Sequence, residues 1–159
     1  MGSTVSKLAF SKKDNYTRCM NSAIYSLAMR EHSRLELFNK LKVKDFAEGV
    51  NLDELLDELA ENNYLNEERF AECFVRSRVN RGQGRLKITN ELQRKGICQS
   101  QIQQAIDKNE IDWYEVATEQ IEKKYGETAP ADYKEKTKRM RFLSSRGFDT
   151  YIIRDLVGA

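Results

Sequence analysis

A short apolar pattern occurs three times in this chain of 159 residues, and successive copies lie 51 residues apart. Each copy begins with a leucine, at Leu41, Leu92 and Leu143. Three residues further on there is a basic residue, which is followed by a glycine or an aspartate and then by a large apolar residue. A fixed period of this length is typical of a supersecondary unit copied in tandem. The chain is therefore expected to have a repeat architecture, in which each unit is stabilised by its neighbours.

The composition favours helices as the content of each repeat. A single proline and 33% charged residues are more typical of long regular helices than of a sandwich. We predict an all-α fold of three tandem three-helix repeats, each helix-turn-helix-like, in an elongated, curved array. The predicted parts are a flexible N-terminal tail, 1–15, and repeats at 16–65, 66–111 and 112–159.

Local signals predict several helix ends. Ser33 and Glu36 have the spacing of a capping box, so a helix over 15–31 should end just before them. Asp112 is an N-cap residue that opens the third repeat. Gly96, in the second copy of the apolar pattern, is expected to end its helix in the left-handed conformation.

Charge is segregated along the chain, although the net charge is only +2. Residues 53–72 contain eight acidic side chains and one arginine, whereas residues 76–95 contain seven basic side chains and one glutamate. Residues 134–146 contain six basic side chains and one glutamate. Segregation of this kind indicates a polar, extended interaction surface for a protein, or for a protein with nucleic acid.

The basic segments are the strongest functional signal in the sequence. The candidate residues for binding a partner or nucleic acid are Arg76, Arg78, Arg81, Arg85, Lys87, Arg94, Lys95, Lys138, Arg139, Arg141 and Arg146. Arginines near a glycine-flanked helix start can hold phosphate oxygens. The alternative is that they form ion pairs with the acidic residues 53–72 of the neighbouring repeat, and the two roles can coexist. If they bind the partner, reversing Arg78, Arg81 and Arg85 should weaken binding without unfolding the protein.

Other modes of nucleic-acid binding have weaker support. Tyr125, Tyr133 and Phe142 lie among basic residues and are candidates for stacking on unpaired bases, although core packing better explains Phe142. The last helices of the three repeats are acidic, nearly neutral and short, respectively. That composition argues against sequence-specific reading of DNA grooves.

Catalytic and metal-binding residues are poorly represented. His32 is the only histidine, and Cys19, Cys73 and Cys98 lack the paired spacing of zinc ligands. Cys73, between two phenylalanines, is expected to be a small buried thiol. We therefore predict no enzyme activity, no metal and no cofactor. Without an apolar run of membrane-spanning length or a signal peptide, a cytoplasmic location is expected.

Several blocks together resemble the RecX regulatory proteins. They lie in the expected order over roughly residues 16 to 157. Each block is weak alone, whereas their joint order is specific. They are Arg30-Glu31-His32-Ser33 with Glu36-Leu37, Glu68-Arg69-Phe70-Ala71 with Phe74-Val75-Arg76-Ser77-Arg78, Gly84 to Ile97, Lys124-Tyr125-Gly126, and Arg141-Phe142-Leu143 with Arg146-Gly147-Phe148.

This resemblance implies a bacterial protein that binds the RecA recombinase filament on single-stranded DNA. It would lie in the filament groove and reduce ATPase activity, filament extension and strand exchange in recombination and the SOS response. The resemblance also agrees with three tandem three-helix repeats. Two positions depart from the family pattern: Arg85 stands where proline is frequent, and Asp45 stands where the later repeats have glycine.

A second function from another class stays open. A helical-repeat protein that binds single- or double-stranded DNA without sequence preference could affect RecA by competing for single strands. Such a protein would have a steep dependence of affinity on salt. In either case we expect a monomer.

Overall fold

A computed structural model describes residues 12–158, and over that range the protein is all-helical, which confirms the predicted fold class. The described residues form nine α-helices and one 3₁₀ turn. The helices are α1 Lys12–Met29, α2 Arg34–Lys42, α3 Leu52–Glu61, α4 Glu67–Asn80, α5 Arg85–Arg94, α6 Gln99–Lys108, α7 Trp113–Tyr125, α8 Tyr133–Ser145 and α9 Thr150–Val157, and the 3₁₀ turn is Asp45–Ala47. The helices come in three sets of three, as predicted, while the repeat boundaries stay predictions.

The first helix begins earlier than expected. The predicted tail extended to residue 15, but α1 already starts at Lys12 and has Asp14 in its first turn, where an acidic side chain favours the helix dipole. The part of the tail before residue 12 lies outside the described residues. The predicted capping box is confirmed, since Ser33 accepts from the amide of Glu36 and the Glu36 carboxylate accepts from the amide of Ser33.

The chain forms two compact units, one ending at Phe70 and the other starting at Ala71. The core of the first unit is built mainly of leucines from α2 and α3, namely Leu37, Leu41, Leu52, Leu55, Leu56 and Leu59. In the second unit, a cluster from α7, α8 and α9 contains Ala117, Leu143, Phe148, Ile152, Ile153 and Val157. The second unit thus contains all of repeat three and all but the start of repeat two.

The repeated apolar pattern ends α5 and α8 with the same backbone turn. After α5, the amide of Gly96 donates to the carbonyl of Gln93, and the amide of Ile97 donates to that of Leu92. After α8, Gly147 and Phe148 repeat these two bonds 51 residues later. This is the Schellman motif, in which a left-handed glycine and a following apolar residue complete the helix end. Both glycines have positive φ, 84° and 88°, as expected for Gly96.

The second helix of the first repeat ends in a different backbone turn. Its pattern has Asp45 where the later copies have glycine, and a residue with a Cβ enters the left-handed region less readily than glycine does. The backbone instead enters the 3₁₀ turn Asp45–Ala47, with the amide of Ala47 donating to the carbonyl of Lys44. The departure seen at Asp45 in the sequence therefore changes the local fold of the first repeat.

Two glycines bring the backbones of repeats two and three into direct contact within the second unit. The amide of Gly84 donates to the carbonyl of Arg146 at 2.7 Å, and the amide of Leu86 donates to that of Gly147 at 2.9 Å. A Cβ added to Gly84 would lie 2.5 Å from backbone atoms of Gly147 and Phe148. Only glycine fits at this contact, which we call the glycine joint. At this joint, backbone amides at the start of α5 donate hydrogen bonds to carbonyls at the end of α8, so that groups at both helix ends have partners.

Candidate partner and nucleic-acid interface

The eleven basic candidates differ widely in accessibility. Six are exposed: Arg76, Arg81, Lys87, Arg94, Lys138 and Arg141. None of these six has an ion pair within the described part of the chain. Four are half-buried, namely Arg78, Arg85, Lys95 and Arg146, and Arg139 is buried. The structure therefore divides one set of candidates into outward-facing cations and side chains held by the protein itself.

Arg139 belongs to the interior and is not an accessible contact residue. Only 4% of it is exposed. Its guanidinium donates to the carbonyl of Thr128 at 2.8 Å and to the carboxylate of Glu135 at 2.6 Å, and it lies 4.9 Å from the ring centroid of Tyr125. Hydrogen bonds from the amide of Ala131 and from Arg139 lower the pKa of Glu135. Arg139 thus anchors the loop between α7 and α8 to helix α8.

Arg85 joins repeats two and three next to the glycine joint. Its Nε and Nη2 atoms donate to the two carboxylate oxygens of Asp149 at 3.0 and 2.6 Å. Asp149 is itself buried, with 7% exposed, so its charge requires this bidentate partner. The hydrogen bond from Arg85 to Asp149 raises the pKa of Arg85. Arg85 therefore serves as a link between repeats.

Arg78 is similarly engaged inside the second repeat. Its Nε donates to Glu91 at 2.9 Å, and its guanidinium carbon lies 4.4 Å from the ring centroid of Phe74. Reversing the charge at Arg78 or Arg85 would place two carboxylates together at a poorly solvated position. These contacts argue against reversing Arg78 or Arg85 as a test that leaves folding intact, and Arg81, which is exposed, is the residue of the three that suits it.

The acidic residues 53–72 pair mostly with other partners than the basic candidates. In the first unit, Arg34 contacts Asp57 at 2.8 Å and Asp53 at 3.7 Å. In the second unit, Glu72 contacts Lys108 at 2.9 Å. The alternative that the basic candidates pair with these acids does not hold for Arg78 and Arg85, since those arginines bind Glu91 and Asp149. Much of the acidic segment lies on exposed faces of α3 and α4.

Two exposed cations line a groove in the second unit, Lys87 and Arg94. The groove has a volume of about 440 Å³ and lies beside the glycine joint, between α5 and the turn from α8 to α9. Its other polar lining residues are Asn90, Glu91, Ser144, Ser145 and Thr150. The two cations can be predicted from the sequence but the hydroxyl residues cannot, because serine and threonine 50 or more residues away carry no local signal.

The aromatic candidates differ in what covers them. Phe142 packs edge-on against Tyr125, with ring centroids 5.9 Å apart, and Lys124 lies 4.3 Å from the Phe142 centroid. Those rings contribute to packing and cation–π contacts, as expected for Phe142. Tyr133, at the start of α8, is 82% exposed and is the one aromatic of the three whose ring is open to a partner.

The histidine and the cysteines do not form a site. His32 is 2% exposed, and its Nδ1 lies 3.0 Å from the carbonyl of Arg30; burial lowers its pKa. Cys73 is exposed rather than buried, because the buried side of α4 centres between Ala71 and Phe74, about 130° around the helix from Cys73. Across residues 12–158, no three His, Cys, Asp or Glu side chains gather as metal ligands would. Over the same range, no helix is both long enough and apolar enough to cross a bilayer.

Comparisons with known proteins agree on one family. A family model described as the second three-helix domain of RecX matches residues 66–106, and one described as the third matches residues 110–157. A crystal structure of RecX from Lactobacillus salivarius superposes with a TM-score of 0.73 at 24% identity, covering 91% of this chain and 95% of that one.

Curated relatives are similar over most of their length. The regulatory protein RecX of Halorhodospira halophila is 39% identical over 139 residues, which are 87% of this chain and 86% of the relative. The protein of the same name from Salmonella typhimurium is 38% identical over 149 residues, with coverage of 87% and 89%. The sequence blocks, the helical repeats and these relatives lead to one conclusion: this chain belongs to the RecX family of regulatory proteins.

Proposed function

We propose that this protein binds the RecA filament on single-stranded DNA and reduces its ATPase activity, its extension and its strand exchange. The observation that carries the proposal is membership of a family of regulatory proteins, together with the resemblance described above, which implies RecA as the partner. The proposed setting is recombination and the SOS response in the bacterial cytoplasm, with the free protein a monomer that needs no cofactor.

The distribution of exposed cations supports this assignment. Arg76 lies near the end of α4 and Arg81 directly after it, Lys87 and Arg94 lie on α5, and Lys138 and Arg141 lie on α8. A filament groove offers phosphates and repeated protein surfaces along its length. Several modest contacts on one chain reinforce each other, because each contact raises the effective concentration for the next.

The test is a titration of the DNA-dependent ATPase activity of RecA with this protein. We expect inhibition at concentrations well below those needed to coat bare single-stranded DNA, measured in parallel by fluorescence anisotropy. If the protein leaves ATPase activity and strand exchange unchanged at concentrations that saturate the filament, the proposed function is wrong.

Competition for single-stranded DNA is the second candidate function, and the six exposed cations favour it too. Inhibition would then appear only where bare DNA is already saturated. It would also weaken steeply with salt, since each phosphate contact releases condensed counterions. Repeating the titration at two salt concentrations separates the two mechanisms.

A further inference from the structure

The groove lined by Lys87 and Arg94 has the charge of an anion site. The two residues are seven positions apart on α5, so they lie on nearly the same face, about 10 Å apart along the helix axis. Both are exposed and have no ion pair among the residues that the structure describes. A span of 10 Å covers about three phosphates of a nucleic-acid strand at duplex spacing.

The acidic groups near the groove are already neutralised. Glu91 lines it, but the carboxylate accepts from Arg78 at 2.9 Å. Asp149 precedes the lining residue Thr150, and both of its oxygens accept from Arg85. Lys87 and Arg94 therefore set the net charge that a ligand meets in the groove.

The opposite wall supplies neutral hydrogen-bond donors. Ser144 and Ser145 at the end of α8 and Thr150 at the start of α9 are exposed, and Asn90 lies between the two cations on α5. The Ser145 hydroxyl donates to the carbonyl of Phe142 at 2.7 Å, so Ser144, Thr150 and Asn90 are the donors that face a ligand. Hydroxyl and amide groups of this kind commonly contact phosphate and sugar oxygens and fix the position of a strand. Phe148, the one aromatic residue of the lining, is only 2% exposed. The groove therefore offers no open ring for base stacking.

We propose that this groove binds the sugar-phosphate backbone of single-stranded DNA, with Lys87 and Arg94 contacting phosphates and the opposite hydroxyl residues contacting backbone oxygens. The proposal rests on the function proposed above and names the DNA strand as the contact of the second unit. Because the lining offers charges and donors without a stacking surface, binding should be independent of base sequence. A volume of about 440 Å³ suits a short stretch of one strand.

The test compares the full chain with the double variant Lys87→Gln and Arg94→Gln, using a fluorescein-labelled oligothymidylate in an anisotropy titration at several salt concentrations. Removal of two phosphate contacts should lower the slope of log affinity against log salt by about 1.4, the value for two charges on a single strand. It should also weaken binding at low salt by about tenfold or more. Helix content measured by circular dichroism checks that the variant is folded.

The matched control is the double variant Lys40→Gln and Lys44→Gln in the first unit. These lysines are exposed and give the same change in net charge. A methylphosphonate oligothymidylate, which keeps the bases but lacks backbone charge, should bind the wild type and the Lys87/Arg94 variant equally weakly. Equal salt slopes for the two double variants on the ordinary oligonucleotide would overturn the proposal.

A protein ligand is the other outcome that the experiment detects. If the Lys87/Arg94 variant binds bare oligothymidylate like the control but binds the RecA filament more weakly, the groove contacts acidic protein and the DNA proposal is wrong. The proposed function fails by a different result, because it concerns inhibition of RecA by the wild type. The two failures are therefore distinguishable in the same set of titrations.

Discussion

The first repeat and the two later repeats end their second helix in different ways, although all three carry the same apolar pattern. In the later repeats, Gly96 and Gly147 take a left-handed conformation and close a Schellman motif. In the first repeat, Asp45 opens a 3₁₀ turn instead. The leucine and the final apolar residue therefore define the period, while the glycine or aspartate between them determines which backbone turn ends the helix.

The later turns also differ from each other in what they contact. The turn at Gly147 accepts hydrogen bonds from the preceding repeat and has no space for a side chain on Gly84 opposite it. In the first unit, links between helices use side chains: Arg69 donates to Glu31 and to the carbonyls of Asn63 and Tyr64. The first unit thus uses side-chain links, whereas the second unit has a direct backbone contact in addition to the side-chain link between Arg85 and Asp149.

The largest effect is expected for Gly84→Ala at the glycine joint. Gly84 has an ordinary φ of −89°, so its cost would come from close approach alone, with a Cβ 2.5 Å from the backbone of Gly147. We expect the free energy of unfolding to fall by about 3 kcal/mol, through overpacking and strained hydrogen bonds, measured by urea denaturation. Gly49→Ala is the control: it has positive φ but open space, and should cost about 1 kcal/mol. Equal losses would refute a special role for close contact.

The next effect is expected for the ion pair beside the joint. Asp149→Ala leaves Arg85 without its bidentate partner, and we expect a loss of about 2 kcal/mol in the free energy of unfolding. Truncating Glu72, whose partner Lys108 is half exposed, should cost less than about 1 kcal/mol. A double-mutant cycle with Arg85→Ala measures the coupling. A coupling near zero would show that the side chains add nothing to the backbone contact.

A smaller effect tests the two helix exits directly. Gly96→Ala forces a side chain into the left-handed region and should cost about 1 kcal/mol. Asp45→Ala, in the exposed 3₁₀ turn of the first repeat, should change stability by less than about 0.5 kcal/mol. Urea denaturation of both variants checks this pair. If Asp45→Ala is as costly as Gly96→Ala, the first exit depends on its residue as strongly as the later ones.

The smallest effect expected is a pH dependence specific to the first unit. Burial lowers the pKa of His32 below its ordinary value of 6.5, so the unfolded chain binds the proton more readily. The stabilising contribution is complete above pH 6.5 and is lost as pH falls below it toward the folded-state pKa. Comparing the unfolding free energy at about pH 7.5 and about pH 5.5, we expect His32→Gln to reduce the difference seen in the wild type. If the difference in unfolding free energy between the two pH values is unchanged in the variant, the pH dependence arises from other groups.

Sequence reasoning succeeded where the cause is local. The capping box at Ser33, the N-cap at Asp112 and the glycine exit at Gly96 depend on neighbouring residues, and the structure confirms all three. Whether a basic residue stays exposed or is paired depends on partners that are far away along the chain. Arg85 meets Asp149 across 64 positions, and nothing around Arg85 in the sequence indicates this.

Burial of a charged residue was equally hidden. Arg139 has cationic neighbours on α8, which suggested an outward face, yet it points inward to Thr128 and Tyr125. The candidate groove could be predicted only in part. Lys87 and Arg94 were predicted from the local charge of the sequence, whereas the residues of the opposite wall could be identified only from the fold. Long-range contacts thus decide which cations stay available to a partner.

The glycine joint has a consequence for how the second unit comes apart. Amides at the start of α5 donate to carbonyls at the end of α8, so neither repeat can lose this end without leaving polar groups of the other exposed. Units that share such bonds open together, and their amide protons report the opening. The amide protons of Gly84 and Leu86 should therefore exchange with solvent only when repeats two and three separate. The exchange rates of these two amide protons therefore measure whether repeats two and three open cooperatively.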